Sequence, residues 1–264
     1  EERSRGLGDV YKRQALQAAR RPGPLAGARA RVLIAGATGA TGEAMLVALA
    51  ASSRVARVDV LLQRPVTVAL RHVHGLLVEP DCPHPWPVVK ADEGVILFDP
   101  PRSFHGREKA LLPVRPEQLP AVARWMLGCG VRRLLVVLPH AQGRLPDALK
   151  RGLANLDEQA VAALGFDAVV FVRSAQAPAS VRHRQVLQRL AHAMLGVLHH
   201  MVPARQKPVS ARRVAQFALS ALERVPPGLH VAAPERVWAA AQGDPAAVVA
   251  QWIGERGPAR DNGA

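Results

Sequence analysis

The sequence predicts an α/β fold, a parallel sheet with helices on both of its faces. Two observations predict it. Short, almost wholly apolar runs recur along the chain, as strands buried on both faces require. They are RVLIA at 31–35, RVDVLL at 57–62, GLLVE at 75–79, GVILF at 94–98, RLLVVL at 133–138 and AVVFVR at 168–173. Helix-patterned segments separate several of them, so strand and helix alternate as in βαβ units. Right-handed crossovers then favour a doubly wound order.

Taken in order, the first strand is followed by GATGATG at 36–42. Next comes EAMLVALAA at 43–51, whose Ala, Met and Leu suit the buried side of a helix. With the second strand these occupy about thirty residues, the span of one βαβ unit. Residues 116–127 open on Pro116, an acceptable first helical residue, and end near Gly128 and Gly130. Residues 147–164 read as a helix stopped by Gly165. From Ser180 the pattern changes to one long amphipathic helix at 181–201. A short strand at 228–232 lies between helices at 210–223 and 245–253, the first of which is expected to pack back on the sheet. The expected division is one domain at 31–255, with a small, mostly helical C-terminal lobe from about 175, and a flexible tail at 256–264.

Composition narrows the function. The chain has 264 residues, 49% hydrophobic and 21% charged, which suits a globular core. No apolar run reaches membrane-spanning length, so a soluble, cytoplasmic protein with no membrane span is expected. Two cysteines, Cys82 and Cys129, make neither a disulfide framework nor a zinc site. His84 sits between Pro83 and Pro85 near Asp81 and Cys82, but the turn is too crowded and lacks a fourth ligand. No metal is expected. The net charge of +14 comes mostly from Arg spread along the chain, with only 4% aromatics. Nucleic-acid binders prefer a basic stripe with interleaved aromatics, so the charge is read as codon bias.

The N-terminus stands apart. Ser4 to Gln14, SRGLGDVYKRQ, is identified as the in-frame translation of a transposase adapter used in preparing DNA sequencing libraries. Residues 1–14 are therefore expected to be a read-through scar. Residues 15–30, rich in Ala, Arg, Pro and Gly, read as a disordered leader without a signal-peptide core. Tyr11, the one Tyr of the chain, falls inside the scar.

The residues that carry chemistry are in the turn after the first strand. Gly36, Gly39 and Gly42 sit between a strand and a helix. The first allows a tight turn, the second a close approach of backbone to a pyrophosphate, the third close helix–strand packing. The N–H groups of the helix start then face the phosphates. A dinucleotide is the ligand this pattern serves. An acidic residue closing the second strand would hold an NAD ribose, but that strand closes on Leu62-Gln63-Arg64, and Asp59 lies too early. Arg64 can meet a 2′-phosphate, which favours NADP(H) over NAD(H). The expected cofactor-binding residues are Gly36, Thr38, Gly39, Ala40, Thr41, Gly42, Arg64, Asp99, Pro100 and Leu138. Asp99 and Pro100 are expected beside the nicotinamide, because they follow the fourth strand.

RVLIAGATGATGEAMLVAL resembles the atypical short-chain dehydrogenase/reductases, and within them the NAD(P)H-binding, NmrA-like branch that includes Tat-interactive-protein-like oxidoreductases. LLQRPV, GCGVRRLLVV and EQAVAALGFDAVVFVRS extend the resemblance to Ser174. PVSARRVAQFAL continues it more loosely, to about Ala241. The resemblance implies a Rossmann fold, a nicotinamide dinucleotide at the glycine turn, and a variable C-terminal lobe over it.

It also implies a Ser after the fifth strand and a Tyr-x-x-x-Lys on the following helix, the Tyr acting as general acid/base. Here the fifth strand runs into Leu138-Pro139-His140, and the two helix positions fall on about Lys150 and Ala154. Beyond the scar the chain has no Tyr. Carbonyl reduction by Tyr-mediated proton transfer is therefore not expected. His140 and Lys150 are the candidate substitutes; His105 and Arg107 follow Asp99 in the same loop, and Arg173-Ser174, ending the sixth strand, is expected to border the pocket. Two functions remain. One is hydride transfer from NADPH to a flavin- or quinone-type acceptor; the other is a non-catalytic redox sensor or regulatory and assembly partner.

Overall fold

A computed structural model of the chain describes residues 29–67, 70–80, 86–99, 108–140, 156–175 and 209–255. The expected scar, almost all of the leader, the tail and the amphipathic segment at 181–201 lie outside the described residues.

The described residues form one sheet of seven strands: β1 (Ala30–Ala35), β2 (Val55–Leu62), β3 (Val73–Leu77), β4 (Glu93–Leu97), β5 (Arg133–His140), β6 (Ala168–Ala175) and β7 (Gly228–Ala232). Their order is β3-β2-β1-β4-β5-β6-β7, and every pairing is parallel. This is the doubly wound Rossmann order. From β1 the chain builds outward first through β2 and β3, then in the other direction through β4 to β7.

The apolar runs explain the sheet. In β1, Val32 and Ile34 point into one core and Leu33 and Ala35 into the other, all fully buried. Such two-sided burial leaves no solvent face, which is why no polar alternation is visible in the sequence. Each large side chain so buried stabilises the fold by about 1.5–3 kcal/mol.

Six α-helices among the described residues cover the two faces. α1 (Ala40–Ala51), α4 (Ala211–Arg224), α5 (Pro234–Gln242) and α6 (Pro245–Gly254) pack on the first face. α2 (Leu119–Gly128) and α3 (Leu156–Ala162) pack on the second. The expected return of the 210–223 helix to the sheet is observed. Val214, Phe217, Ala218, Ala221 and Leu222 of α4 are buried at i, i+3, i+4 spacing. Arg133, at the amino end of β5, donates to the Leu222 and Val225 carbonyls and so satisfies the last turn of α4. Burial pulls its guanidinium pKa down.

The elements depart from expectation at a few ends. The helix expected from Pro116 begins as a 3-10 turn, Pro116–Gln118, and becomes α-helical only at Leu119. Pro120 is the reason: it lacks an N–H, and its ring is tolerated only in a first turn. A helix that periodicity does not announce, α5, follows β7 and buries Val237 and Ala240. Among the described residues no helix is long and apolar enough to cross a membrane.

Candidate functional site

In a sheet of this order the crevice lies at the carboxyl ends of β1 and β4, where the connections diverge. The 36–42 turn leaves β1 there, and Asp99 leaves β4 on the other side.

The turn is built by two glycines. Gly36 has φ +76, and a Cβ added to it would lie 1.9 Å from the Leu97 carbonyl oxygen. Only Gly relieves both constraints. A Cβ on Gly42 would lie 2.4 Å from Ala37 Cα, so this position lets the first turn of α1 close onto the strand end. Gly39 is the helix N-cap residue, and with no side chain it caps nothing.

The capping comes from across the crevice. Asp99 Oδ2 accepts from the backbone N–H of Thr41 at 2.6 Å and of Gly42 at 2.9 Å. Thr38 Oγ1 donates to the Asp99 carbonyl at 2.9 Å. Thr38, Thr41 and Asp99 are all buried. The bonds satisfy two of the N–H groups that every helix start leaves open, and they set a negative charge on the positive end of the helix dipole. The start of α1 thus holds an anionic oxygen through two convergent backbone donors. Asp99 meets the helix start, the phosphate end of the expected site, rather than lying free beside a nicotinamide.

The other predicted residues are dispersed. Arg64 is exposed just past β2. The chain around it is held by the 3-10 turn Glu108–Ala110: Gln63 N donates to the Ala110 carbonyl at 2.8 Å, and Gln63 Nε2 to that of Lys109 at 2.8 Å. Asp59 sits inside β2, buried and paired with Arg57 at 2.7 Å, so it faces no ribose. Leu138 is half-buried on β5, opposite Arg173 on β6. His140 closes β5 opposite Ala175. Pro100, His105, Arg107, Lys150 and Ala154 lie outside the described residues.

At the end of β6 the expected Arg173-Ser174 pair divides between the faces. Arg173 Nη2 meets Glu158 Oε2 of α3 at 2.7 Å, with both side chains buried. Ser174 Oγ is buried and has no hydrogen-bond partner among the described residues. Glu158 was not identifiable as a partner from sequence, since an acidic residue early in a helix normally faces solvent. Cys129, after α2, is a buried free thiol, and burial pushes its pKa up. No cluster of three or more metal-ligating side chains occurs among the described residues.

No protein-family model matches the chain, and no curated protein is similar to it in sequence. Solved structures with a similar course include a Rossmann-fold NAD(P)-binding family protein from Shigella flexneri, 15% identical over 75% of this chain and 88% of that one, with a TM-score of 0.46. Another is the Bordetella bronchiseptica enzyme WbmH in complex with NAD+, 14% identical over 80% of this chain and 79% of that one, with a TM-score of 0.44. A third is the Helicobacter pylori ADP-L-glycero-D-manno-heptose-6-epimerase, 11% identical over 82% and 83%, with a TM-score of 0.43. At such identities no ligand or activity passes from them to this chain.

Proposed function

We propose that the chain binds a nicotinamide dinucleotide at the 36–42 turn, as an atypical short-chain dehydrogenase/reductase of NmrA-like type that works without the Ser, Tyr and Lys set. One observation carries this reading: two adjacent backbone N–H groups at a helix start, Thr41 and Gly42, converge on a single anionic oxygen at the β1/β4 crevice. A pyrophosphate oxygen offers the same charge and the same acceptor chemistry. The bare backbone at Gly36 and Gly42 keeps the turn close enough to the strand ends for that approach. Exposed Arg64, beyond β2, offers a cation where a 2′-phosphate would lie, which favours NADP(H).

The bound nicotinamide would supply a hydride. The chain's residues would bind and orient it. With its one Tyr at position 11, in the segment read as a scar, the chain is not expected to deliver a proton from a phenol. A flavin or quinone acceptor suits such a site, because its charge delocalises and water can supply the proton. The second reading is a non-catalytic sensor or assembly partner. The Asp99 carboxylate on the phosphate-binding donors favours it, because a helix start already satisfied makes the fold independent of the ligand.

Titrations with NADPH and NADH test the binding. NADPH should bind more tightly, and Arg64→Ala should weaken NADPH by roughly tenfold or more, the worth of one charge-assisted hydrogen bond, while sparing NADH. Equal or better NADH binding removes the NADP(H) assignment. NADPH oxidation over a panel of quinones and flavins separates the two readings: turnover supports the reductase, and none with any acceptor supports the sensor.

A further inference from the structure

We propose that Asp99 is a built-in competitor for the dinucleotide pyrophosphate, so that the cofactor binds only when the Asp99 carboxylate has left Thr41 and Gly42. The proposal rests on the dinucleotide reading above.

The geometry leaves no room for both anions in one place. Asp99 Oδ2 alone takes both N–H groups, at 2.6 and 2.9 Å, and each N–H has one proton to give. A phosphate oxygen at the same donors would also stand against a carboxylate in a crevice where Asp99 is 8% exposed, and like charges repel strongly in such surroundings.

The main chain at Asp99 is tied at two points. Its carbonyl is held by Thr38 Oγ1 at 2.9 Å, and the preceding Phe98 N–H donates to the Val137 carbonyl of β5 at 3.3 Å. The part proposed to move is the carboxylate, by rotation of the side chain away from Thr41 and Gly42. The protein thus has two arrangements of one residue. In the closed one Asp99 caps α1; in the open one the donors face the ligand. A ligand that binds only the open arrangement has its apparent dissociation constant raised by the reciprocal of the open fraction. Asp99 therefore sets the cofactor concentration at which the protein responds, and it keeps the start of α1 satisfied when cofactor is scarce.

The test is NADPH titration of the wild type, Asp99→Asn and Asp99→Gly, with far-UV circular dichroism to confirm folding. Asn keeps the size and an accepting oxygen but not the charge; Gly removes the side chain. Both should bind NADPH at least about tenfold more tightly than the wild type, and the thermal shift on adding NADPH should grow in parallel. A folded variant that binds no more tightly than a wild type that itself binds overturns the proposal and leaves the dinucleotide reading standing. Absence of NADPH binding in all three proteins overturns both.

Discussion

The Asp99 carboxylate lies 2.6 Å from the backbone nitrogen of Thr41, although 58 residues separate them in the chain. This bond joins the two halves of the crevice: the turn that leaves β1 and the chain that leaves β4. It makes a residue on one side of the switch point the cap of a helix on the other.

Removing that cap should cost stability as well as change binding. Asp99→Ala leaves the buried Thr41 and Gly42 N–H groups without their acceptor. The expected loss is about 1–3 kcal/mol in urea unfolding of the ligand-free protein. A loss under about 0.3 kcal/mol would mean that water or another group replaces the carboxylate at no cost.

Gly36→Ala should be more damaging than an ordinary Gly-to-Ala change. The φ of +76 alone costs a non-glycine residue about 1–2 kcal/mol. The added methyl would meet the Leu97 carbonyl at 1.9 Å, so either the turn or β4 must shift, at roughly 1–3 kcal/mol more. Thermal unfolding should show it, and NADPH affinity should fall with it.

The Arg173–Glu158 pair is buried on both sides and joins β6 to α3. Glu158→Gln or Arg173→Met should each destabilise by about 1.5–3 kcal/mol, the worth of a hydrogen bond between charged groups, because each removes the buried 2.7 Å contact. The double variant should be less damaging than the sum of the two. Denaturant unfolding of the four proteins of this cycle would measure the coupling, and simple additivity would refute it.

Cys129 is buried, and burial raises its thiol pKa. A raised folded-state pKa stabilises the fold fully below the unfolded-state value. That contribution is lost as pH rises from there through the folded-state value. In a Cys82→Ser background, alkylation of Cys129 by iodoacetamide should be slow in the native protein and rapid in denaturant. Fast native alkylation at neutral pH would contradict its burial.

The sheet was legible because its strands are buried on both faces and so leave unbroken apolar runs such as RVLIA and RLLVVL. The turn was legible because Gly36 and Gly42 meet backbone atoms that allow no side chain. What Asp99 touches was not legible. Sequence puts it at the carboxyl edge, but its orientation depends on the register of β4 against β1, with Ile96 opposite Ala35. The Glu158–Arg173 pair escaped notice for a related reason: tertiary packing, not local pattern, decides whether a charge is buried. Helix α5 has just nine residues and few buried positions, too little periodicity to stand out.

Amide resonances followed during an NADPH titration of Asp99→Asn would show whether a dinucleotide binds at the start of α1. The Thr41 and Gly42 amides should shift the most and saturate with a single affinity. Saturable binding that leaves these two amides unmoved, or no binding, would contradict it.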